Sequence, residues 1–231
     1  MNMKIYGLTK TTLLDYPGLV ASTVFTGGCN FRCPFCHNGD LVQAPDSFPL
    51  ITEDEIFLHL QRRKTTLEGI CITGGEPTLA PDLLDFLLRL RDFDIKIKLD
   101  TNGYRPQVLE KVLEKKLADY VAMDIKAGWA NYSKACGIEV DITNISASVR
   151  LLSTSDIEYE FRTTCVKGIH TKEDFEDIAK RLPGNASYFL QSYEENPAVF
   201  DKSCAPFTER EIKHFQNILL PHIPNTFIRG I

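Results

Sequence analysis

Along the chain, short apolar runs rich in β-branched and aromatic residues alternate with longer stretches whose apolar positions recur at helical spacing. Residues 19–26 (LVASTVFT) run into Gly27-Gly28 and predict a strand that feeds a loop. Residues 69–73 (GICIT), 95–99, 120–125, 158–166 and 187–191 repeat that pattern, and 226–228 adds a short last run. Between them, Thr52 is placed to cap a helix, Glu55 to reach back to it, and Ile56, Leu58 and Leu60 follow. Residues 81–91 carry Leu83, Leu84, Leu87, Leu88 and Leu90 behind Pro81, a helical pattern with proline near its start. Residues 106–116 place Val108, Leu109, Val112 and Leu113 on one side, and 142–152, 172–182 and 208–220 predict three more helices, the last with Glu211 set for a capping box. No repeat, low-complexity tract or long linker divides the sequence, so one domain over residues 1–231 is expected. Strict alternation implies parallel strands joined by right-handed crossovers. About six such units fall short of a closed barrel, so the fold expected is α/β, an open or partial parallel β/α barrel. Its chemistry belongs at the carboxyl ends of the strands.

With 231 residues, 43% of them apolar and 25% charged, the composition is that of a soluble globular protein. The formal net charge of -5 offers no general grip on nucleic acid, a local basic patch aside. No apolar run approaches the length of a membrane span. The N-terminal stretch has Lys4 and Lys10 but no apolar core or small-residue cleavage site, so no signal peptide is expected. Cysteine changes the picture most. The chain has seven, and three of them crowd into Cys29-Asn-Phe-Arg-Cys33-Pro-Phe-Cys36. An odd number with that spacing points to a reducing cytoplasm and a bound metal rather than to a disulfide framework.

A C-x3-C-x2-C loop after the first strand has two readings. A structural zinc knot needs a fourth ligand, and none is obvious nearby, since His37 is poorly placed to close a tetrahedron with its neighbour Cys36. Three thiolates on one tight loop instead suit a [4Fe-4S] cubane with one iron left open. The motif is identified as that of the radical S-adenosylmethionine superfamily. The resemblance implies that the open iron chelates the methionine end of S-adenosylmethionine and that the reduced cluster cleaves it to a 5'-deoxyadenosyl radical. Phe35, before the last cysteine, holds a position that the superfamily usually fills with an aromatic ring.

Later strand ends add to this. Gly74-Gly75-Glu76-Pro77 combines close backbone approach with an anionic acceptor, and by resemblance it binds the amino group of S-adenosylmethionine. Asp100-Thr101-Asn102-Gly103 and Asp124-Ile125-Lys126 also suit plain turns. As a pair, they resemble the glycyl-radical activating enzymes, above all the pyruvate formate-lyase activases. That likeness implies cofactor contacts for Asp100, Asn102, Asp124 and Lys126. It also implies a monovalent cation held by Asp100, Thr101 and Asp124, whose oxygens suit one. Arg162, inside a strand, needs an anion if it points inward, and a cofactor carboxylate or Asp124 would serve. Gln191 stands where those activases carry histidine. His37 is read as a hydrogen-bonding residue near the cluster or as a fixer of the loop, and Cys71, Cys136, Cys165 and Cys204 as outside the cluster.

The phrases IYGLTKTTLLDYPG and FTGGCNFRCPFCHN, continued through GGEP, DTNG and DIK, resemble the anaerobic ribonucleoside-triphosphate reductase activating proteins. Only 37 residues separate Cys36 from Gly74, too few for the two-cluster insert of several other activases. The resemblance implies a radical enzyme that abstracts a glycine Cα hydrogen from that reductase, with flavodoxin or ferredoxin as electron donor. Two other readings are a radical enzyme acting on a different protein, peptide or small molecule, and a non-enzymatic iron-sulfur or zinc module.

Overall fold

The computed structural model describes residues 2–231. Its first two strands, β1 (Ile5–Thr12) and β2 (Ala21–Thr26), form an antiparallel pair. From β2 onward the sheet is parallel, through β3 (Gly69–Gly74), β4 (Lys96–Thr101), β5 (Tyr120–Asp124), β6 (Glu158–Lys167) and β7 (Ser187–Ser192). The short β8 (Ala205–Pro206) pairs antiparallel with β6, and β9 (Thr226–Arg229) extends the sheet beside β7. Each parallel strand from β2 to β7 lies next to its successor in the chain, so every crossover steps in the same direction. The result is an open α/β partial barrel.

The helices are α1 (Gly39–Gln43), α2 (Glu53–Arg62), α3 (Leu83–Leu90), α4 (Pro106–Glu114), α5 (Tyr132–Cys136), α6 (Ile142–Ser153), α7 (Lys172–Arg181) and α8 (Glu209–Leu219). Complete capping boxes open α2 (Thr52 with Glu55) and α8 (Thr208 with Glu211), as their sequences predict. Four elements escape a reading of the sequence. β1, β8 and the five-residue helices α1 and α5 are too short or too mixed to show a period of their own. Two apolar assignments also need correction. Leu58 and Leu88 face solvent at 44% and 59% exposure, and α3 buries Leu83, Phe86, Leu87 and Leu90 instead. Among the described residues, no helix is long and apolar enough to cross a membrane.

Alternation along the strands separates two faces. Ile97, Leu99, Val121, Met123 and Phe161 join the apolar core with the helix residues Phe86, Leu87, Leu109 and Ile145. The opposite residues, Lys98, Asp100, Asp124, Glu160 and Arg162, carry charge. The barrel interior is therefore polar, and its carboxyl-terminal end opens into a cavity.

Candidate functional site

The ends of β2 and β3 are zipped together. Gly75 N donates to Thr26 O (2.9 Å) and Glu76 N to Gly28 O (2.8 Å). A Cβ on Gly75 would come within 1.8 Å of Gly28 O, so only glycine permits this approach. Asn38 Nδ2 adds a bond to Gly74 O (2.8 Å), tying the segment after the thiol loop to the same place.

That juncture forms one wall of a cavity of about 360 Å³. Cys29, Cys33, Cys36 and Phe35 line it, with Gly74, Gly75, Glu76, Asp100, Thr101, Asn102, Asp124, Lys126 and Arg162. Every strand-end residue expected to touch the cofactor or a cation thus faces one space. Residues that the sequence did not single out face it too, among them Asp15 and Thr164. Asp15 accepts a hydrogen bond from Thr23 Oγ1 (2.5 Å).

Glu76 is buried and heavily bonded. Its Oε1 accepts from Thr78 N (3.0 Å), Thr78 Oγ1 (2.6 Å) and Thr101 Oγ1 (2.8 Å), and its Oε2 from Asn102 N (2.7 Å). Oε2 therefore keeps acceptor capacity for a further donor. Burial raises the carboxyl above its ordinary value against the pull of those donors.

Across the cavity, Arg162 joins two carboxylates. It meets Asp100 at 3.3 Å and Asp124 at 3.0 Å. Lys98 pairs with Asp100, and Lys126 with Asp124 at 2.9 Å. Burial alone would raise Asp124, but Lys126 and Arg162 outweigh it and hold its carboxyl at about 2. Lys126 and Arg162 are the cations that line the cavity, facing the carboxylates of Asp15, Glu76, Asp100 and Asp124, with Lys98 behind Asp100. Each oxygen of Asp100 and Asp124 already meets one cationic side chain, and the Thr101 hydroxyl donates to Glu76 Oε1. Lys98 was missed in the sequence, although a lysine alternating with Asp100 in Ile-Lys-Leu-Asp is a signal that one strand face is charged.

The thiol loop itself is braced from several directions. Arg32 N donates to Cys136 O (2.8 Å), which brings the Cys136 thiol beside Cys33. The neighbouring Cys136 lowers the Cys33 thiol, while burial pushes Cys136 up. Cys136 thus touches a member of the triple, where the sequence reading set it apart. Burial, with the nearby Glu76 charge, pushes the Cys29 thiol up to about 12. His37 stacks on Tyr193 and bonds Glu194 O through Nε2 (2.9 Å), which makes it a loop fixer. His170, absent from the sequence reading, accepts from Val166 N at Nδ1 (3.0 Å), so its Nε2 donates to Lys126 O (2.7 Å) and fixes the backbone behind Lys126.

Donor chemistry and spacing test which inorganic group fits. Among the described residues, no three His, Cys, Asp or Glu side chains gather tightly enough for a single metal ion. Three thiols spread around one cavity suit a cubane, which takes one thiolate per iron. Among the described residues the buried Asn30 Nδ2 has no hydrogen-bond partner, and it lies in the thiol loop, where the sulfurs of a cluster would give it acceptors. The residues fit.

A polar partial barrel with a triple-thiol loop at its carboxyl end defines a class of iron-sulfur enzyme, and comparison with known proteins gives its family. The Radical SAM superfamily model matches residues 23–182. The chain is 32% identical to a Methanocaldococcus jannaschii protein named as a glycyl-radical enzyme activating enzyme, over all of this chain and 98% of that one. It is 34% identical to the pyruvate formate-lyase-activating enzyme of Clostridium pasteurianum over 53% of this chain and 52% of the relative. A crystal structure of a domain of the pyruvate-formate lyase-activating enzyme from Bacteroides vulgatus superposes with a TM-score of 0.56 at 20% identity, covering 70% of this chain and 99% of that one. Streptococcus suis SuiB bound to its precursor peptide SuiA gives 0.68 at 14% identity, over 90% of this chain and 48% of that one. These two likenesses show the fold. The chain belongs to the radical SAM superfamily, within its glycyl-radical enzyme activating enzymes, and its cofactors are a [4Fe-4S] cluster and S-adenosylmethionine.

Proposed function

We propose that this chain activates an anaerobic ribonucleoside-triphosphate reductase by placing a radical on one of its glycines, with flavodoxin or ferredoxin as electron donor. The observation that carries this reading is the convergence on one cavity of the Cys29, Cys33 and Cys36 thiols, the unsaturated Glu76 Oε2 and the Lys126 and Arg162 cations paired with Asp100 and Asp124. When bound, the two cofactors supply a 5'-deoxyadenosyl radical that takes one hydrogen atom from a glycine Cα.

In this reading the three thiolates hold the cluster and Phe35 packs behind them. Glu76 receives the methionine amino group at Oε2, a charge-assisted contact in a buried place. The Lys126 and Arg162 side chains that line the cavity attract the methionine carboxylate. Asp100 and Asp124 orient those side chains, the Asn102 backbone N–H orients Glu76, and Gly74 and Gly75 keep the wall flat enough for the cofactor to lie against it. The reductase as partner is supported by the likeness of the N-terminal phrases and the thiol loop to that activase group, and the general kind of partner by 32% identity over the whole chain to a glycyl-radical enzyme activating enzyme.

Electron paramagnetic resonance tests the assignment. An anaerobic mixture of reduced protein, S-adenosylmethionine and an anaerobic reductase from the same organism should develop a glycyl doublet. The doublet should vanish when the reductase's C-terminal glycine is replaced by alanine. Ready cleavage of S-adenosylmethionine with no protein radical would transfer the activity to another substrate, peptide or small molecule.

A further inference from the structure

We propose that the side-chain amides of Asn102 and Asn30 form a positioning pair that aims an N–H at the Cys29 sulfur and thereby raises the reduction potential of the cluster. The inference rests on the reading that Cys29, Cys33 and Cys36 hold that cluster.

Asn102 is 5% exposed, so its amide is fixed by protein rather than by water. Its Oδ1 accepts from Tyr104 N (3.0 Å), which settles which end of the amide is which. Nδ2 is therefore turned toward the thiol loop. It lies 2.9 Å from Asn30 Oδ1 and 3.7 Å from Cys29 Sγ. One N–H is held by Asn30, and the other is left for the sulfur. Phe31 N also points at Cys29 Sγ (3.3 Å), so this sulfur collects one backbone donor and one side-chain donor. Asn30 Nδ2, buried and without a partner among the described residues, is a third donor kept in the same loop.

Reduction adds negative charge that spreads over the cluster's sulfurs and its thiolate ligands. Donors aimed at those sulfurs stabilise the reduced form more than the oxidised one, and the potential rises. Burial strengthens the effect, because few water dipoles compete. A cluster that must accept an electron from a modest donor gains from such a bond. Asn102 is also the residue whose backbone N–H holds Glu76, so one residue touches both the thiol and the proposed cofactor contact.

The test is an anaerobic redox titration of the full-length, iron-loaded protein, with the reduced cluster read by electron paramagnetic resonance and iron and sulfide assayed alongside. Asn102→Ser keeps an oxygen for the Tyr104 turn but is too short to reach Cys29. At fixed potential its reduced-to-oxidised ratio should fall about tenfold, which for a one-electron couple is a shift of about 59 mV to lower potential. Asn30→Ala should shift the midpoint the same way by less, and the double variant by less than the sum. Unchanged midpoints in iron-replete Asn102→Ser and Asn30→Ala would overturn the proposal. So would loss of the cluster in both variants while the unaltered protein loads normally, since the pair would then serve assembly rather than tuning. Failure of the unaltered protein to take up a cluster would overturn the underlying reading instead.

Discussion

Glu76 carries more of the site than its neighbours because four donors converge on it from the loop after β3 and the end of β4. Removing the carboxylate takes away a charge-assisted contact worth roughly 1.5–3 kcal/mol. Glu76→Ala should therefore weaken S-adenosylmethionine binding roughly tenfold to a hundredfold while iron content stays near normal, measured by anaerobic equilibrium binding. Unchanged affinity would take Glu76 out of the site. Asp124 makes a prediction about pH. Its carboxyl sits at about 2 in the folded chain, below the ordinary value for an unfolded aspartate. Its contribution is therefore present above roughly pH 4 and disappears as pH falls through about 2. Asp124→Asn should cost about 2 kcal/mol at neutral pH in urea unfolding, and the gap from the unaltered protein should close toward pH 2. A gap that stays constant with pH would mean the loss comes from packing.

Elements matter here through their ends. The approach of the loops after β2 and β3 depends on hydrogen atoms at Gly75, because a methyl there would sit 1.8 Å from Gly28 O. Gly75→Ala should force the two loops apart, break the Glu76 N to Gly28 O bond and cost about 1–3 kcal/mol in thermal unfolding of the cluster-free protein. An unshifted midpoint would show that the loops already stand further apart. The capping boxes at Thr52 and Thr208 were readable in advance because a capping box is written within four consecutive residues. β1 was not, since Ile-Tyr-Gly-Leu-Thr-Lys-Thr-Thr becomes a strand by pairing with β2. α5 was likewise invisible, at five residues too short to display a period, yet it brings Cys136 to Cys33.

At the scale of the molecule, the last strand is tied back across the sheet. Arg229 on β9 makes two bonds to the buried Glu160 on β6 (2.8 and 2.7 Å), and Tyr120 Oη on β5 donates to the same carboxylate (2.9 Å). The guanidinium also lies over Phe189 on β7, 3.4 Å from the ring centroid. Arg229→Ala would leave a buried carboxylate with one neutral donor. Because Arg229 is itself partly exposed, the expected loss is about 2–3 kcal/mol, below that of a fully buried pair. Adding Glu160→Gln should recover part of it, and a double-mutant cycle by urea unfolding reads the coupling. Simple additivity would show that the pair does not hold β9 in place.

By itself, the sequence determined what is local. The alternation of strands and helices, the capping boxes, the C-x3-C-x2-C loop and the strand-end motifs all lie within a few residues of one another. Backbone geometry gives each of them a period or a spacing that shows in one dimension. Only the tertiary structure decided which face of each strand is the interior, and so which charges meet. Arg162 reaches Asp100, Asn102 reaches Cys29, and Arg229 reaches Glu160 only through the way the strands are laid side by side. A period of two states that alternate residues share a face, but not which face closes around the cavity. That choice belongs to the apolar set, Ile97, Leu99, Val121, Met123 and Phe161, which is buried in the core and leaves the charged set to line the barrel.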